Sequence, residues 1–379
     1  MAGTSWNRVA LGALAVLAAL AVLLVVTDDP APDPRPPAPP EPPRLLFGGA
    51  LWTMPGGLSQ TPGSPGVRDG LALVSQDGVT LVELATGMPR WHVLAGERLA
   101  GSADTYSSGG TLLGSGVLVR TRSGIAVLSR ADGTVRWRAP VHAGAGERYV
   151  PVAADDRVVL VTIGPVRGGA PRVIAFDTAT GRQRWLRAGL TPYSIAGPVV
   201  VGVTPPGTVA AWHLADGTPA WTLAGFTAAR VALTAGGAVL VEGDAGGARP
   251  VRRVVAAATG EVLADLGGDP RTGPCAADTG TLIACPRARG SGDLVFETYD
   301  VGAGRVGTVA SHQQPRAVCL VARDRLFGAS ERSYFAVTGR GRPVADHLPG
   351  RPVAVSGDYL VLRGDGGDPP LTSVYRMRK

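Results

Sequence analysis

The sequence predicts an all-β fold: an eight-bladed β-propeller of four-stranded antiparallel blades, with a seven-bladed ring as the alternative, preceded by one N-terminal transmembrane helix. Three observations predict it. A short hairpin that ends in tryptophan recurs along the chain, its glycines 36 to 48 residues apart. The strand segments left over at the two ends together make one more blade. An uncharged apolar run of 18 residues, Val9 to Val26, opens the chain.

Taken in order, residues 1–8 form a cytoplasmic N-terminus and residues 9–27 a signal anchor. At about 1.5 Å per residue the apolar run spans roughly 27 Å, close to the hydrocarbon thickness of a bilayer. Arg8 precedes it and Asp28 and Asp29 follow it. The positive-inside rule therefore places the N-terminus in the cytoplasm and the remainder outside, a single-pass protein of the cell membrane with an extracytoplasmic domain. A cleaved signal peptide is the rival reading, but its apolar region is ordinarily shorter and followed by a small-residue cleavage site. No cysteine precedes Cys275, so no lipid-modified cysteine is expected. Residues 28–43 contain PAPDPRPPAPPEPP, nine prolines in fourteen positions, which favours an extended polyproline II linker.

Residues 44–379 carry the repeat. Its clearest copy is RVIAFDTATGRQRW, Arg172 to Trp185. Val173, Ala175 and Asp177 alternate with Ile174 and Phe176, the period of a strand. The chain then reverses: Asp177 and Thr180 can accept backbone N–H bonds, and Gly181 supplies the positive φ of a tight turn. Trp185 stands four residues past that glycine. Gly87 and Trp91, Gly133 and Trp137, and Gly217 and Trp221 repeat the offset of four. Degenerate copies place Ala264 after Gly260 and Thr308 after Gly304, and a weaker one surrounds Gly341. Blades are expected at about 65–95, 111–143, 149–190, 194–226, 228–268, 272–311 and 315–349. Val353–Val355, Tyr359–Leu362 and Ser373–Met377 then give three strands without a fourth, and Leu45–Met54 a strand without a blade. If the N-terminal strand completes the C-terminal blade, the ring closes with no free edge.

The pattern A-x-D-x-x-T-G-x-x-x-W, met in full by Ala175, Asp177, Thr180, Gly181 and Trp185, resembles the repeat of the PQQ-like β-propeller family. That family includes the quinoprotein alcohol dehydrogenases and the propeller lipoprotein of the outer-membrane assembly machine. The resemblance covers about residues 66–350 and is most specific where the tryptophan is kept. It implies that Trp91, Trp137, Trp185 and Trp221 pack between neighbouring blades, with Gly87, Gly133, Gly181 and Gly217 as the turn glycines of the blade-docking hairpins. Burial of about 150–250 Å² by each indole supports that structural role independently.

A quinoprotein dehydrogenase of this family would need a calcium ion, a catalytic aspartate and a disulfide between adjacent cysteines. This chain has three cysteines, none adjacent. Cys275 and Cys285 flank a turn-like ADTGT and would face each other across a hairpin, either bridged or as two small buried side chains. Cys319 is expected in the core of the next blade. The aspartates of the repeat, Asp132, Asp177, Asp216 and Asp300, lie in turns, where aspartate is ordinarily a turn-maker. The expected site set is accordingly no catalytic, cofactor-binding or metal residues, and no PQQ. A GxGxxG at Gly302, Gly304 and Gly307 opens no helix, so no dinucleotide site is expected there. GDGGD at 364–368 lacks the spacing of a calcium loop. Glu147, Asp155 and Asp156 have no partner visible in sequence, and the arginines at 287, 289, 340 and 342 read as solvating charge.

The net charge of +7 is almost wholly arginine, since Lys379 is the one lysine, and along the chain it is spread without a basic block. That argues against nucleic acid as a partner and leaves weak attraction to an acidic envelope polymer. The functional expectation is a non-catalytic, membrane-anchored extracytoplasmic scaffold that binds a protein or an envelope polymer. The alternatives are a redox enzyme, PQQ-dependent or otherwise, with a site in the central channel, and a small-ligand binding or sensor protein. Fold alone does not choose among them.

Overall fold

The computed structural model describes residues 48–55, 69–74, 78–94, 110–165, 171–205, 207–244, 250–278, 280–289, 293–322, 324–364 and 371–378. All belong to the second of two compact units, Pro42–Lys379. The expected anchor at 9–27 and linker at 28–43 lie outside the described residues. Among the described residues no helix is long and apolar enough to cross a membrane.

The described chain is β-structure arranged as eight antiparallel sheets, seven of four strands and one of three. Blade 3 is representative. Its strands are Glu147–Ala154, Val158–Pro165, Arg172–Asp177 and Gln183–Ala188, each paired with the next in sequence. Blade 2 runs from Gly110–Leu112 to Val135–Pro140, blade 4 from Thr191–Ala196 to Pro219–Thr222, and blade 5 from Thr227–Ala235 to Val262–Leu266. Blade 6 runs from Ala276–Ala277 to Arg305–Val309 and blade 7 from Ala317–Ala322 to Pro343–Leu348. The three described strands of blade 1, Gly70–Val74, Gly78–Glu83 and Pro89–Leu94, correspond to the second, third and fourth of the others. The repeat glycine Gly87 falls between the last two.

Blade 8 settles the count at eight. Arg351–Ser356, Tyr359–Arg363 and Leu371–Arg376 are joined by Trp52–Pro55, which pairs antiparallel with the last of them, Trp52 opposite Val374. The N-terminal strand thus supplies the outer strand of the C-terminal blade, and the seven-bladed alternative is set aside.

Eight apolar clusters hold the ring, one for each pair of neighbours. Leu113, Ile125 and Trp137 of blade 2 meet Tyr149, Val159 and Phe176 of blade 3. Val200, Trp212 and Leu214 of blade 4 meet Trp185 and Leu160 of blade 3. The last cluster joins Leu71, Leu73 and Val82 of blade 1 to Val353, Val361 and Val374 of blade 8, closing the circle. Each blade is therefore buried on both faces. This explains why its inner strands read as nearly unbroken apolar runs, such as VVLVTI at 158–163, and not as alternating ones.

Candidate functional site

The tryptophan slots form a ladder around the ring. In every copy the indole lies on the repeat glycine of the next blade. A Cβ placed on Gly133 would sit 2.8 Å from Trp91, on Gly181 2.6 Å from Trp137, on Gly217 2.9 Å from Trp185 and on Gly260 2.7 Å from Trp221. These glycines have φ between +69° and +76°, a left-handed conformation that other residues adopt at a cost. Each indole Nε1 also donates to a carbonyl three residues before the glycine it covers. Trp91 donates to Arg130 at 3.0 Å, Trp137 to Thr178 at 2.8 Å, Trp185 to Leu214 at 3.0 Å and Trp221 to Ala257 at 2.7 Å. The hydrogen bond satisfies the one polar atom of a side chain that is otherwise buried.

A fifth rung escaped the sequence reading. Trp52 of blade 8 covers Gly87, whose added Cβ would be 2.6 Å from the indole, and donates to Leu84 O at 2.8 Å. The signal was present, for Gly48 precedes Trp52 by four and has φ +64°. Where the slot holds no tryptophan the cover differs: nothing lies within 4 Å of a Cβ on Gly304, which follows the Ala264 blade, whereas a Cβ on Gly341, which follows the Thr308 blade, would meet Ala310 O.

The aspartates of the hairpins are occupied in their own turns. Asp177 accepts from the Thr180 hydroxyl and N–H, both at 2.9 Å, and pairs with the Arg184 guanidinium at 2.5 Å. The Arg184 bond, followed by the Thr180 hydroxyl, holds its carboxyl down at about 2. Asp132 and Asp216 accept from the backbone and hydroxyl of Thr134 and Thr218, and both are held below the usual carboxylate range chiefly by those bonds. The carboxylates that sequence left without partners have them: Glu147 with Arg172 at 2.6 Å, Asp155 with Arg157 at 2.6 Å, and Asp156 with the Gly114 N–H.

Blades 5 and 6, which lack an indole between them, supplement their apolar cluster with buried charged side chains that bond backbone groups across the interface. Arg252 is fully buried and donates from Nε to Glu242 Oε1 at 2.9 Å, from Nη1 to Pro286 O at 2.9 Å, and from Nη2 to Gly273 O. Glu242, 3% exposed, also accepts from Arg230 Nε at 2.8 Å. On blade 6, Glu297 pairs with Arg287 at 2.6 Å and accepts the N–H groups of Gly267 and Gly268 at 3.1 and 3.2 Å. The connecting segment, with its 3₁₀ turn Pro270–Thr272, is thus held by Arg252 through its carbonyls and by Glu297 through its amides. Cys275 and Cys285 are bridged at this interface, with Cα atoms 4.3 Å apart, while Cys319 is half-buried on the first strand of blade 7. Above the network opens a cleft of about 360 Å³ lined by Arg230, Glu242, Asp244, Pro250, Pro270 and Arg271. Sequence reasoning missed this network, although arginines inside a strand, at 252 and 253, beside an empty tryptophan slot were its signal.

Among the described residues no group of three or more His, Cys, Asp or Glu side chains is placed to hold a metal ion. Gly302, Gly304 and Gly307 lie at a β-hairpin between Leu294–Asp300 and Arg305–Val309, not at a helix.

Against known proteins, residues 75–194 match the family model described as outer membrane protein assembly factor BamB. Over that stretch the chain is similar to the PQQ-like propeller repeat. No curated protein sequence matches the chain at a significant level. Among solved structures, BamB from Moraxella catarrhalis superposes with a TM-score of 0.54 at 15% identity, over 86% of this chain and 97% of that one. A europium-containing methanol dehydrogenase gives 0.52 at 12% identity, over 86% and 93%. Quinohemoprotein alcohol dehydrogenase ADHIIG from Pseudomonas putida HK5 gives 0.51 at 12%, over 87% and 76%. At such identities the likeness concerns the fold.

Proposed function

We propose that this protein is a non-catalytic, membrane-anchored propeller on the extracytoplasmic side that acts as a scaffold for a protein or an envelope polymer. The observation that carries the reading is where the carboxylates stand. Asp132, Asp177 and Asp216 are bonded within their own turns, and Glu242 and Glu297 are neutralised by arginine inside a blade interface. Each is engaged by a hydrogen bond or ion pair of its own, the arrangement of a structural carboxylate. The match of residues 75–194 to the assembly-factor family supports a protein-binding role.

The rival is a redox enzyme, favoured by the likeness of fold to a methanol dehydrogenase and a quinohemoprotein alcohol dehydrogenase. The residues do not fit the group that such chemistry requires. The disulfide joins cysteines ten residues apart, with Cys285 fully buried between blades, and so offers no adjacent-cysteine platform. No metal-holding cluster of carboxylates accompanies it among the described residues. No cofactor is assigned.

Two measurements test the proposal. Crosslinking in intact cells, followed by affinity purification from membranes, is expected to recover a stoichiometric partner, with the protein resisting alkaline extraction and its propeller open to protease added outside. Titration with PQQ and calcium is expected to give neither a saturable spectral change nor dye-linked dehydrogenase activity. Appearance of both would replace the scaffold with an enzyme.

A further inference from the structure

Two arginines that line the cleft beside blades 5 and 6 are fixed by the buried network and keep donors to spare. Arg230 lies on the first strand of blade 5, Thr227–Ala235, and its side chain is 66% exposed. Its Nε and Nη2 both face Glu242 Oε2, at 2.8 and 2.6 Å, while Nη1 has no partner among the described residues. Glu242 is held from behind, since its other oxygen accepts from the fully buried Arg252 at 2.9 Å. That carboxylate therefore sets the direction of a long side chain that would otherwise sample many rotamers.

Arg271 reaches the same cleft from a different element. It sits in the 3₁₀ turn Pro270–Thr272 on the connection between the blades, its N–H held by the Asp269 carboxylate at 2.8 Å. Arg252 Nη2 donates to carbonyls on either side of it, Pro270 O at 3.4 Å and Gly273 O. Arg271 is exposed, and its guanidinium has no hydrogen-bond or ion-pair partner among the described residues. The turn is fixed while the charge it carries is uncommitted. Pro250 and Pro270 add apolar wall, and the cleft, at about 360 Å³, falls within the range of about 300–1,000 Å³ that takes a small molecule. Its acids are Glu242 and Asp244, and Asp244 has a partner of its own. Arg230, Arg252 and Arg271 outnumber them.

We propose that this cleft binds the phosphate group of a small phosphate monoester, held between Arg230 and Arg271. The inference goes beyond the scaffold reading, which concerns a macromolecular partner. A guanidinium offers parallel donors to a pair of oxygens, and a planar carboxylate is matched by one such fork. Phosphate has oxygens outside any one plane, so it accepts from two forks that come from separate elements. Its charge of about −1.5 to −2 at neutral pH exceeds that of a carboxylate and suits a lining in which arginine is in excess. The two prolines leave apolar surface for a short carbon chain.

The test uses the full chain in a maltoside detergent, which carries no phosphate, and follows the phosphorus NMR signal of glycerol phosphate as protein is added. Saturable broadening is expected at one site per chain, reversed by inorganic phosphate and not by the same concentration of succinate. Arg271→Gln is expected to weaken binding at least about tenfold, because it removes one charge-assisted fork. Arg271→Lys keeps the charge without the fork and should lie between that variant and the parent. Arg182→Gln, in the hairpin of blade 3, should leave binding unchanged. Since Arg271 is exposed and unpartnered, an unchanged melting temperature in Arg271→Gln separates lost binding from lost fold. Absence of saturable broadening, equal displacement by succinate, or indifference to Arg271→Gln would each overturn the assignment. Failure to recover a macromolecular partner from membranes bears on the scaffold reading alone.

Discussion

The Trp137 indole lies flat on Gly181 of the next blade, and its Nε1 donates to Thr178 O at 2.8 Å. The pair is one device in two parts. Positive φ at Gly181 turns the hairpin, and the missing Cβ leaves the surface on which the ring rests. Trp137→Ala is expected to cost about 3–5 kcal/mol in denaturant unfolding. Gly181→Ala is expected to cost at least about 1–3 kcal/mol, since it adds left-handed strain to an overlap with the ring. In the double variant the overlap is gone and only the backbone strain remains, so the two losses should sum to more than the double. Strict additivity would mean that the residues do not act as a pair.

Trp52 performs the same task across the seam where the chain's two ends meet. Because the indole is half-buried, Trp52→Ala should cost toward the lower end of the tryptophan range, about 3 kcal/mol. The loss should also be local in hydrogen exchange. Amides of Leu371–Arg376, which pair with Trp52–Pro55, should lose protection first, while those of Arg172–Asp177 in blade 3 keep theirs. Uniform loss around the ring would show that the seam is no weaker than the other interfaces.

Trp52 also marks where sequence reading stops. Blade number, turn glycines and ring closure were legible because each is a local spacing or a count of strands. The motif that contains Trp52 is cut in two: Gly48 and the indole are at one end of the chain, and the strand that should precede them, Leu371–Arg376, is at the other. No window along the sequence holds both halves. The Arg252 network was hidden for a related reason, since its partners come from Glu242, Gly273 and Pro286, on separate strands and a connecting loop.

Asp177 gives the ring a pH dependence of known sign. Its carboxyl is held at about 2, below an unfolded value near 3.8, chiefly by Arg184. A carboxyl with a lowered folded value contributes stability that is complete above the unfolded value and is lost as pH falls toward the folded one. Asp177→Asn should therefore lower the melting temperature at neutral pH, and the gap to the parent protein should narrow between about pH 4 and pH 2. A gap that stays constant across that window would mean that the charge on Asp177 contributes nothing.

The blade 5–6 interface tests whether buried charge can stand in for an indole. Arg252→Met leaves Glu242 buried with only the exposed Arg230 beside it, the loss of one partner from a pair of 0% and 3% exposed side chains. The expected cost is about 3–5 kcal/mol. Replacing both, Arg252→Met with Glu242→Leu, removes the uncompensated charge and should recover much of that stability. It will not recover the grip of Arg252 on Pro286 O and Gly273 O, so the segment that carries Pro270 and Arg271 should become the first site of limited proteolysis in both variants. If the double variant is no more stable than Arg252→Met, the contribution of Arg252 lies in its carbonyl contacts across the interface and not in its ion pair within blade 5.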